Sequence, residues 1–362
     1  MKLTRFVIGS SLLGICNGWI QNYPAKGRVW ISRHVKVSNA FKGREPAGVE
    51  GVFTKAKDMR ASLANRVNLR RRKRKLRKRS QVTEPRNGFK ENLARVKATI
   101  LLPERWEFEG EKELNSLAEM KLILRKDLKE VQENTLRLDD GRMINCLEQF
   151  PDAYGDIRML RFLRKEKSRN PLEAAMSFKD YVKWRKKNGI DKIRAQVELN
   201  PFQVPSKLSF VDELLPSDFD LCGKVDADDR EPSFTITLHI GQWQTTKLAS
   251  MIQKNDVTLE DFLLYWVYKF ESVHKALHAE SIKQQRMVFI DNPVDLKGFT
   301  AQQISPGFVT RVLRPWVKQM QSNYPETARA IDVFNPPRVI SLLWRLMVPL
   351  LRPGTVAKIR IR

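Results

Sequence analysis

Three cysteines in 362 residues, Cys16, Cys146 and Cys222, lie too far apart for a CxxC metal pair, and so sparse and odd a count argues against a disulfide framework. A reducing compartment is therefore expected. Glycine is never clustered as it would be where a strand meets a phosphate-cradling helix, so neither a dinucleotide fingerprint nor a P-loop is present. No run of 18 or more apolar residues occurs, which leaves no evident membrane span. A GxSxG nucleophile elbow is also missing. Histidine is scarce: His274 and His278 are four apart and would share a helical face, but no glutamate lies between them to activate water and no third ligand suggests itself. They are expected to be a surface pair, and Asp226, Asp228 and Asp229 a solvated turn. The sequence thus offers no support for an enzyme, a metal site or a cofactor.

What is abundant is positive charge, unevenly placed. The chain carries a formal +25, and residues 1–110 hold 26 Lys and Arg against 8 Asp and Glu, leaving an ordinary balance in the rest. Arg70, Arg71, Arg72, Lys73, Arg74, Lys75, Arg77, Lys78 and Arg79 form a run interrupted only by Leu76. Three readings stand side by side: a solvated spacer, a nuclear-import or nucleic-acid patch, and a patch for anionic membrane. No aromatic residue is interleaved to stack on bases, which weakens single-strand recognition. The opening MKLTRFVIGSSLLGIC has a basic start and a mostly apolar stretch Phe6–Cys16 like a signal or organelle-targeting segment, without a defined cleavage site. Residues 17–110 show no sustained period, so the N-terminal third is expected to be mostly disordered.

From Glu111 the pattern turns helical, through Leu114, Leu117, Met120, Leu122, Leu124 and Leu128. Further helices are predicted at Asp152–Lys167 and at Pro171–Asn188, the latter opened by proline and closed by Gly189. Beyond Pro201 the period changes. Phe234, Ile236, Leu238 and Ile240 alternate with polar residues as in a strand, Leu259–Leu277 carries one apolar helical stripe, and Met287–Ile290 reads as a short buried strand. Helix Phe308–Ser322, strand Ala330–Phe334 and helix Arg338–Leu350 follow. This alternation predicts an α/β lobe with a mainly parallel sheet. Trp266, Phe270, Phe289, Phe334, Trp344 and Met347 are candidates to line an apolar cavity, although the same spacing serves plain core.

Several segments in order resemble the CRAL-TRIO family of lipid-transfer proteins, and in particular its phosphatidylinositol-transfer branch. DIRMLRFLRKEKSRNPLEAAMSFKDYVKWRKKNGID, Asp156 to Asp191, is similar to that family's helical N-terminal module. The lipid-binding lobe is matched by PSFTITLHIGQW, TLEDFLLYWVYKFESV, MVFIDNPVDLKGF, NYPETARAIDVFNPPRVISLLWRLMVPLL and PGTVAKI, so the resemblance covers roughly residues 112–362. It implies a basic extension over 1–110, a helical module over 111–195, and a lobe over 200–362 whose sheet floors an acyl-chain pocket under a mobile lid at Asn335–Leu350. Val339, Ile340, Leu343 and Met347 would face that pocket.

The resemblance also implies a headgroup site at Glu326, Thr355 and Lys358. A phosphodiester calls for a cation and a hydroxyl donor, and inositol hydroxyls call for a carboxylate. Two departures are visible: Glu166 stands where the family has a basic residue, and relatives continue past the position of Arg362, so either the chain is truncated or one edge of the pocket is expected to be missing. The resulting expectation is a carrier or sensor of phosphatidylinositol or a related phospholipid, bound as ligand, peripheral to membranes in the cytoplasm. An organelle or the secretory pathway is the alternative location. The rival reading is a nucleic-acid-associated or adaptor protein that uses the basic run beside a vestigial pocket.

Overall fold

Apolar residues spaced three and four apart beyond residue 110 bury one face each of a set of helices. The computed structural model describes residues 86–133, 135–138, 140–166, 168–225, 232–338 and 340–362. The basic run, the apolar segment Phe6–Cys16, the turn of Asp226, Asp228 and Asp229, and Val339 all lie outside the described residues. A first helix, α1 (Arg86–Lys97), packs on α2 (Glu111–Glu133) and falls within the stretch where no period was expected. A short antiparallel hairpin follows, β1 (Thr135–Arg137) and β2 (Met143–Asn145), which the sequence reading did not anticipate. Three residues per strand are too few to display alternation.

The module is completed by α3 (Asp156–Lys165), α4 (Pro171–Asn188) and α5 (Ile190–Leu199). Helix α4 begins and ends where expected. The Asn170 side chain accepts from the Leu172 amide at 2.9 Å, and Gly189 closes the helix in the left-handed region at φ 63°. Leu117, Met120, Phe162, Phe178 and Tyr181 fill the interior, and the last three pack ring on ring with centroids 5.2–5.6 Å apart.

The lobe is a five-stranded sheet in the order β3-β4-β5-β6-β7. Strand β3 (Ser217–Val225) runs antiparallel to β4 (Pro232–Leu238). Helices α6 (Thr245–Lys254) and α7 (Leu259–Gln284) then lead to β5 (Ile290–Asp295), parallel to β4. A helical passage from Pro306 ends in α8 (Arg314–Asn323) and leads to β6 (Ala328–Phe334), and α9 (Ile340–Met347) leads to β7 (Ile359–Ile361), both strands parallel. The mainly parallel α/β lobe with flanking helices is the architecture that the alternating pattern predicts. Between Val309 and Leu313 the turn widens to a π-helix just before Pro315, a residue with no N–H that would clash in a regular helix. Gly241 lets the turn after β4 press against the turn after β5: a Cβ there would sit 1.9 Å from the Lys297 carbonyl oxygen.

The seam between module and lobe is charged and buried. Arg185 of α4, 0% exposed, donates to Glu271 of α7 at 2.9 Å, to Asp191 at 2.8 Å and to the Tyr181 hydroxyl at 2.9 Å, while the Tyr324 hydroxyl donates to Glu271 at 2.8 Å. Arg161 of α3 donates to the carbonyls of Val288 at 2.6 Å and Glu326 at 2.5 Å. Burial, with the charges of Arg158 and Arg164 adding to it, pushes its guanidinium down to about 9. His274 and His278 face this seam, which corrects the expected surface pair. His274 is buried and bonded through Nε2 to the Thr327 hydroxyl at 2.9 Å; burial and then the nearby arginines hold it neutral, well below the usual histidine range. Among the described residues no group of His, Cys, Asp and Glu could hold a metal ion.

Candidate functional site

Strand alternation builds a cavity of about 290 Å³ on one face of the sheet. Ile236 and Leu238 of β4, Ile290, Asn292 and Val294 of β5, Ile331 and Val333 of β6, and Ile359 and Ile361 of β7 all point into it, each two residues from the next along its strand. Helix α7 contributes Trp266 and Phe270, the passage into α8 contributes Leu313, and α8 itself contributes Trp316 and Met320. The Trp266 and Trp316 rings lie 5.0 Å apart, centroid to centroid.

Helix α9 covers the cavity with Ile340, Trp344 and Met347, positions i, i+4 and i+7 on one face, while Ser341 and Arg345 are exposed on the other. The helix expected within Asn335–Leu350 is amphipathic, and its regular part is confined to eight residues.

Few polar side chains reach the cavity wall, and most are committed to backbone. The Asn292 amide donates to the Ile236 carbonyl, Gln303 to the Trp243 carbonyl at 2.9 Å, and Thr245 to the Gln303 carbonyl at 2.8 Å. Gln321 donates to the Leu350 carbonyl at 3.1 Å and accepts from the Arg352 amide at 2.9 Å, which ties α8 to the chain after the lid. The Thr355 hydroxyl lines the cavity without a hydrogen-bond partner among the described residues. A surface this apolar holds water poorly and takes hydrocarbon readily.

Of the residues singled out from sequence, Trp266, Phe270, Ile340, Trp344, Met347 and Thr355 meet at this cavity. Phe289 and Phe334 do not, which corrects their expected place. Phe289 precedes the inward Ile290 and turns to the opposite side of the sheet, where the Arg161 guanidinium lies over its ring at 5.6 Å and the Lys358 ammonium at 5.9 Å. Phe334 follows the inward Val333 and is 42% exposed. The side chain of Leu343, like Val339, lies outside the described part of the structure.

Glu326 and Lys358 come together, though not on the cavity wall. The Lys358 ammonium donates to Glu326 Oε2 at 2.7 Å and to the Ala328 carbonyl at 2.8 Å, with the Phe289 ring on a further side. Strand parity explains the placement, because Lys358 precedes the inward Ile359. Glu326 sits at φ 50°, in the left-handed region, and its carbonyl is held by Arg161. Glu166 closes α3 and accepts from the Ser177 hydroxyl at 3.3 Å. Two cations that the sequence reading passed over, Lys165 and Arg352, also stand half-buried at this corner.

With this geometry, residues 222–362 match the CRAL/TRIO domain family. It is similar to the SEC14 cytosolic factor of Eremothecium gossypii, 28% identical over 63% of this chain and 68% of that protein. It is also similar to the phosphatidylinositol/phosphatidylcholine transfer proteins SFH9 and SFH7 of Arabidopsis thaliana. The former is 25% identical over 66% of this chain and 38% of its length, the latter 26% identical over 63% and 39%. The chain thus spans about two thirds of the fungal relative and about two fifths of the plant ones. The crystal structure of Sfh5 aligns with 70% of this chain and 81% of its own at a TM-score of 0.46 and 18% identity.

Proposed function

We propose that this chain binds a phospholipid by its acyl chains in the lobe cavity and carries it passively between membranes. The observation that carries the reading is the cavity itself: an apolar space floored by the inward residues of four strands, closed by an amphipathic helix, with most of its polar side chains already bonded to backbone. Passage of a diacyl lipid through water exposes its chains at about 0.8 kcal/mol per CH₂, tens of kcal/mol in all, and such a cavity removes that cost. The transfer activity in the names of the plant relatives agrees with it. No bond is made or broken, so the protein is not an enzyme in this reading.

Phosphatidylinositol or a related phospholipid is the expected cargo. The free Thr355 hydroxyl would donate to it, and Glu326, its carboxylate fixed by Lys358, would accept from ring hydroxyls. The run Arg70–Arg79 would hold the protein to anionic lipid while the lid opens. No helix among the described residues is long and apolar enough to cross a membrane, so contact in this reading is peripheral.

Extraction of the purified full chain followed by mass spectrometry, with transfer of labelled phospholipid between vesicles, tests the reading. A bound phospholipid and protein-dependent transfer are expected. An empty cavity together with tight, salt-sensitive binding to nucleic acid would overturn it in favour of the basic run as the working part.

A further inference from the structure

Among the described residues four tryptophans line the lobe cavity, and they differ in what their indole N–H groups meet. Trp243 donates to the Pro216 carbonyl at 3.3 Å. Trp344 sits on α9 and is half-buried. Trp266 of α7, 0% exposed, and Trp316 of α8 have buried Nε1 atoms with no hydrogen-bond partner among the described residues. Their rings are neighbours, 5.0 Å apart and tilted by 44°. Two unanswered donors thus belong to one stretch of cavity wall.

Filling space does not call for these donors. Phenylalanine brings a flat ring to an apolar wall with no polar atom, whereas a buried indole N–H normally finds an acceptor and costs free energy when it finds none. The other polar side chains of the wall, Asn292, Gln303, Thr245 and Gln321, are committed to backbone. Around Trp266 stand other rings, Tyr265 edge-on at 5.3 Å and Phe262 at 6.5 Å, and ring faces accept an N–H only weakly. The space that both indoles border is the cavity. None of the described lining side chains is charged, so the acceptor that suits this place is a neutral oxygen; a phosphate there would lose its water and meet no cation.

Resting on the lipid-binding reading above, we infer that Trp266 and Trp316 donate hydrogen bonds to a neutral oxygen of the cargo, and that this oxygen is an ester carbonyl of a diacyl phospholipid. The pair sets how far the lipid enters: its carbonyls stop at the indoles, its chains run on along the Ile and Val side chains of the sheet, and its charged headgroup stays outside the apolar wall. Chain length can vary, because apolar contacts have no preferred direction, while the ester group is selected. A sterol hydroxyl is the other source of the same chemistry, and the experiment separates the two.

The test measures binding of two matched pairs to the purified full chain. One pair is diacyl phosphatidylcholine and its dialkyl ether analogue, which keeps headgroup and chains and lacks both carbonyls; the other is cholesterol and cholestane, which lacks the hydroxyl. The unsubstituted protein is expected to prefer the ester lipid about tenfold, the size of one or two net hydrogen bonds. The double variant Trp266→Phe, Trp316→Phe should bring ester and ether lipid to equal affinity. Each single substitution should narrow the preference, so the inference does not depend on the double variant folding. In the infrared, the carbonyl band of bound ester lipid should lie at its hydrogen-bonded position and move toward the free-ester position in each variant, a change that looser packing alone does not produce. Equal affinity of the unsubstituted protein for ester and ether lipid would overturn the inference, and so would a preference that neither substitution alters, since that marks a packing role. A preference confined to the sterol pair would give the donors to a hydroxyl and overturn the carbonyl assignment. If the unsubstituted protein takes up none of the four, it is the lipid-binding reading itself that fails.

Discussion

Two interiors of this protein are built on opposite principles. The seam between module and lobe is crowded with charge: Arg185 meets Glu271, Asp191 and two tyrosines, and Arg161 meets two carbonyls, all in geometry that admits little change. The cavity a short distance away is walled by Ile, Val, Leu, Met and Trp, whose contacts have no preferred direction. Buried hydrogen-bonded charges tolerate one arrangement and penalise others, whereas apolar surface can rearrange around ligands of different length at small cost. A seam of the first kind suits a fixed joint, and a cavity of the second kind suits exchangeable cargo.

The comparison breaks most sharply at Glu271. Removing its carboxylate leaves Arg185 charged, buried and without its main partner, so Glu271→Ala should destabilise the protein by about 3–5 kcal/mol, read as a shift of the denaturant midpoint. Burial disfavours the charge of Arg185, yet the attraction of Glu271, Tyr181 and Asp191 outweighs it and holds the guanidinium well above its usual range. A loss below about 1 kcal/mol would mean that the seam is wet or loosely packed.

The lid gives the contrasting case. Met347 is only half-buried and faces the cavity, so Met347→Asp brings a charge to apolar surface that is partly open to solvent. The expected outcome is a small stability change beside a large fall in bound lipid, measured by extraction and mass spectrometry. A folded variant that stays fully loaded would show that this face of α9 does not border the lipid.

Much of this division was legible in the sequence. Alternation from Phe234 to Leu238 marked the strand β4, and Pro171 and Gly189 bounded α4 to the residue. Of the site, Trp266, Phe270, Ile340, Trp344, Met347 and Thr355 were within reach of periodicity and resemblance. Phe289 and Phe334 were misplaced because a strand places neighbours on opposite faces, and without knowing where β5 and β6 begin, the parity of a single aromatic is undetermined. The hairpin β1–β2 and the strand β7 are too short to show a period. The charge pairs join residues far apart in the chain, such as Arg185 with Glu271 or Lys358 with Glu326, and no local pattern reports them.

The seam should also respond to acid. His274 is held neutral by burial and by Arg158, Arg161 and Arg185, and His278 is depressed by burial as well. Their folded values lie below the unfolded one of about 6.5, so between the two the unfolded chain binds more protons than the native one. Stability should therefore be full above about pH 6.5 and decline as pH falls below it, by up to about 1.4 kcal/mol per pH unit for each histidine. Carboxylates whose values are lowered, Asp152 among them, enter only at more acid pH. Denaturant midpoints between about pH 5 and 7 measure this, and His274→Gln should flatten the slope; an unchanged slope would place the titration elsewhere.

The smallest effect expected lies on the outer face of the sheet, where it tests the parity on which the cavity rests. Asp332 pairs with Arg360 at 2.7 Å and with Arg362 at 2.9 Å, and both arginines are exposed. Exposed pairs contribute about 0–1 kcal/mol because water and salt screen them and long side chains lose freedom to make them. Arg360→Ala should thus shift stability by less than about 1 kcal/mol, with the shift fading further in high salt, and should leave lipid retention unchanged. Its neighbour Ile359 points the other way, into the cavity. Ile359→Ala should lower lipid retention while Arg360→Ala does not, although the two positions are adjacent on one three-residue strand. If Arg360→Ala emptied the cavity and Ile359→Ala did not, β7 would pair with β6 one residue out of the register Ile331 to Ile359, and the floor of the cavity would have to be redrawn.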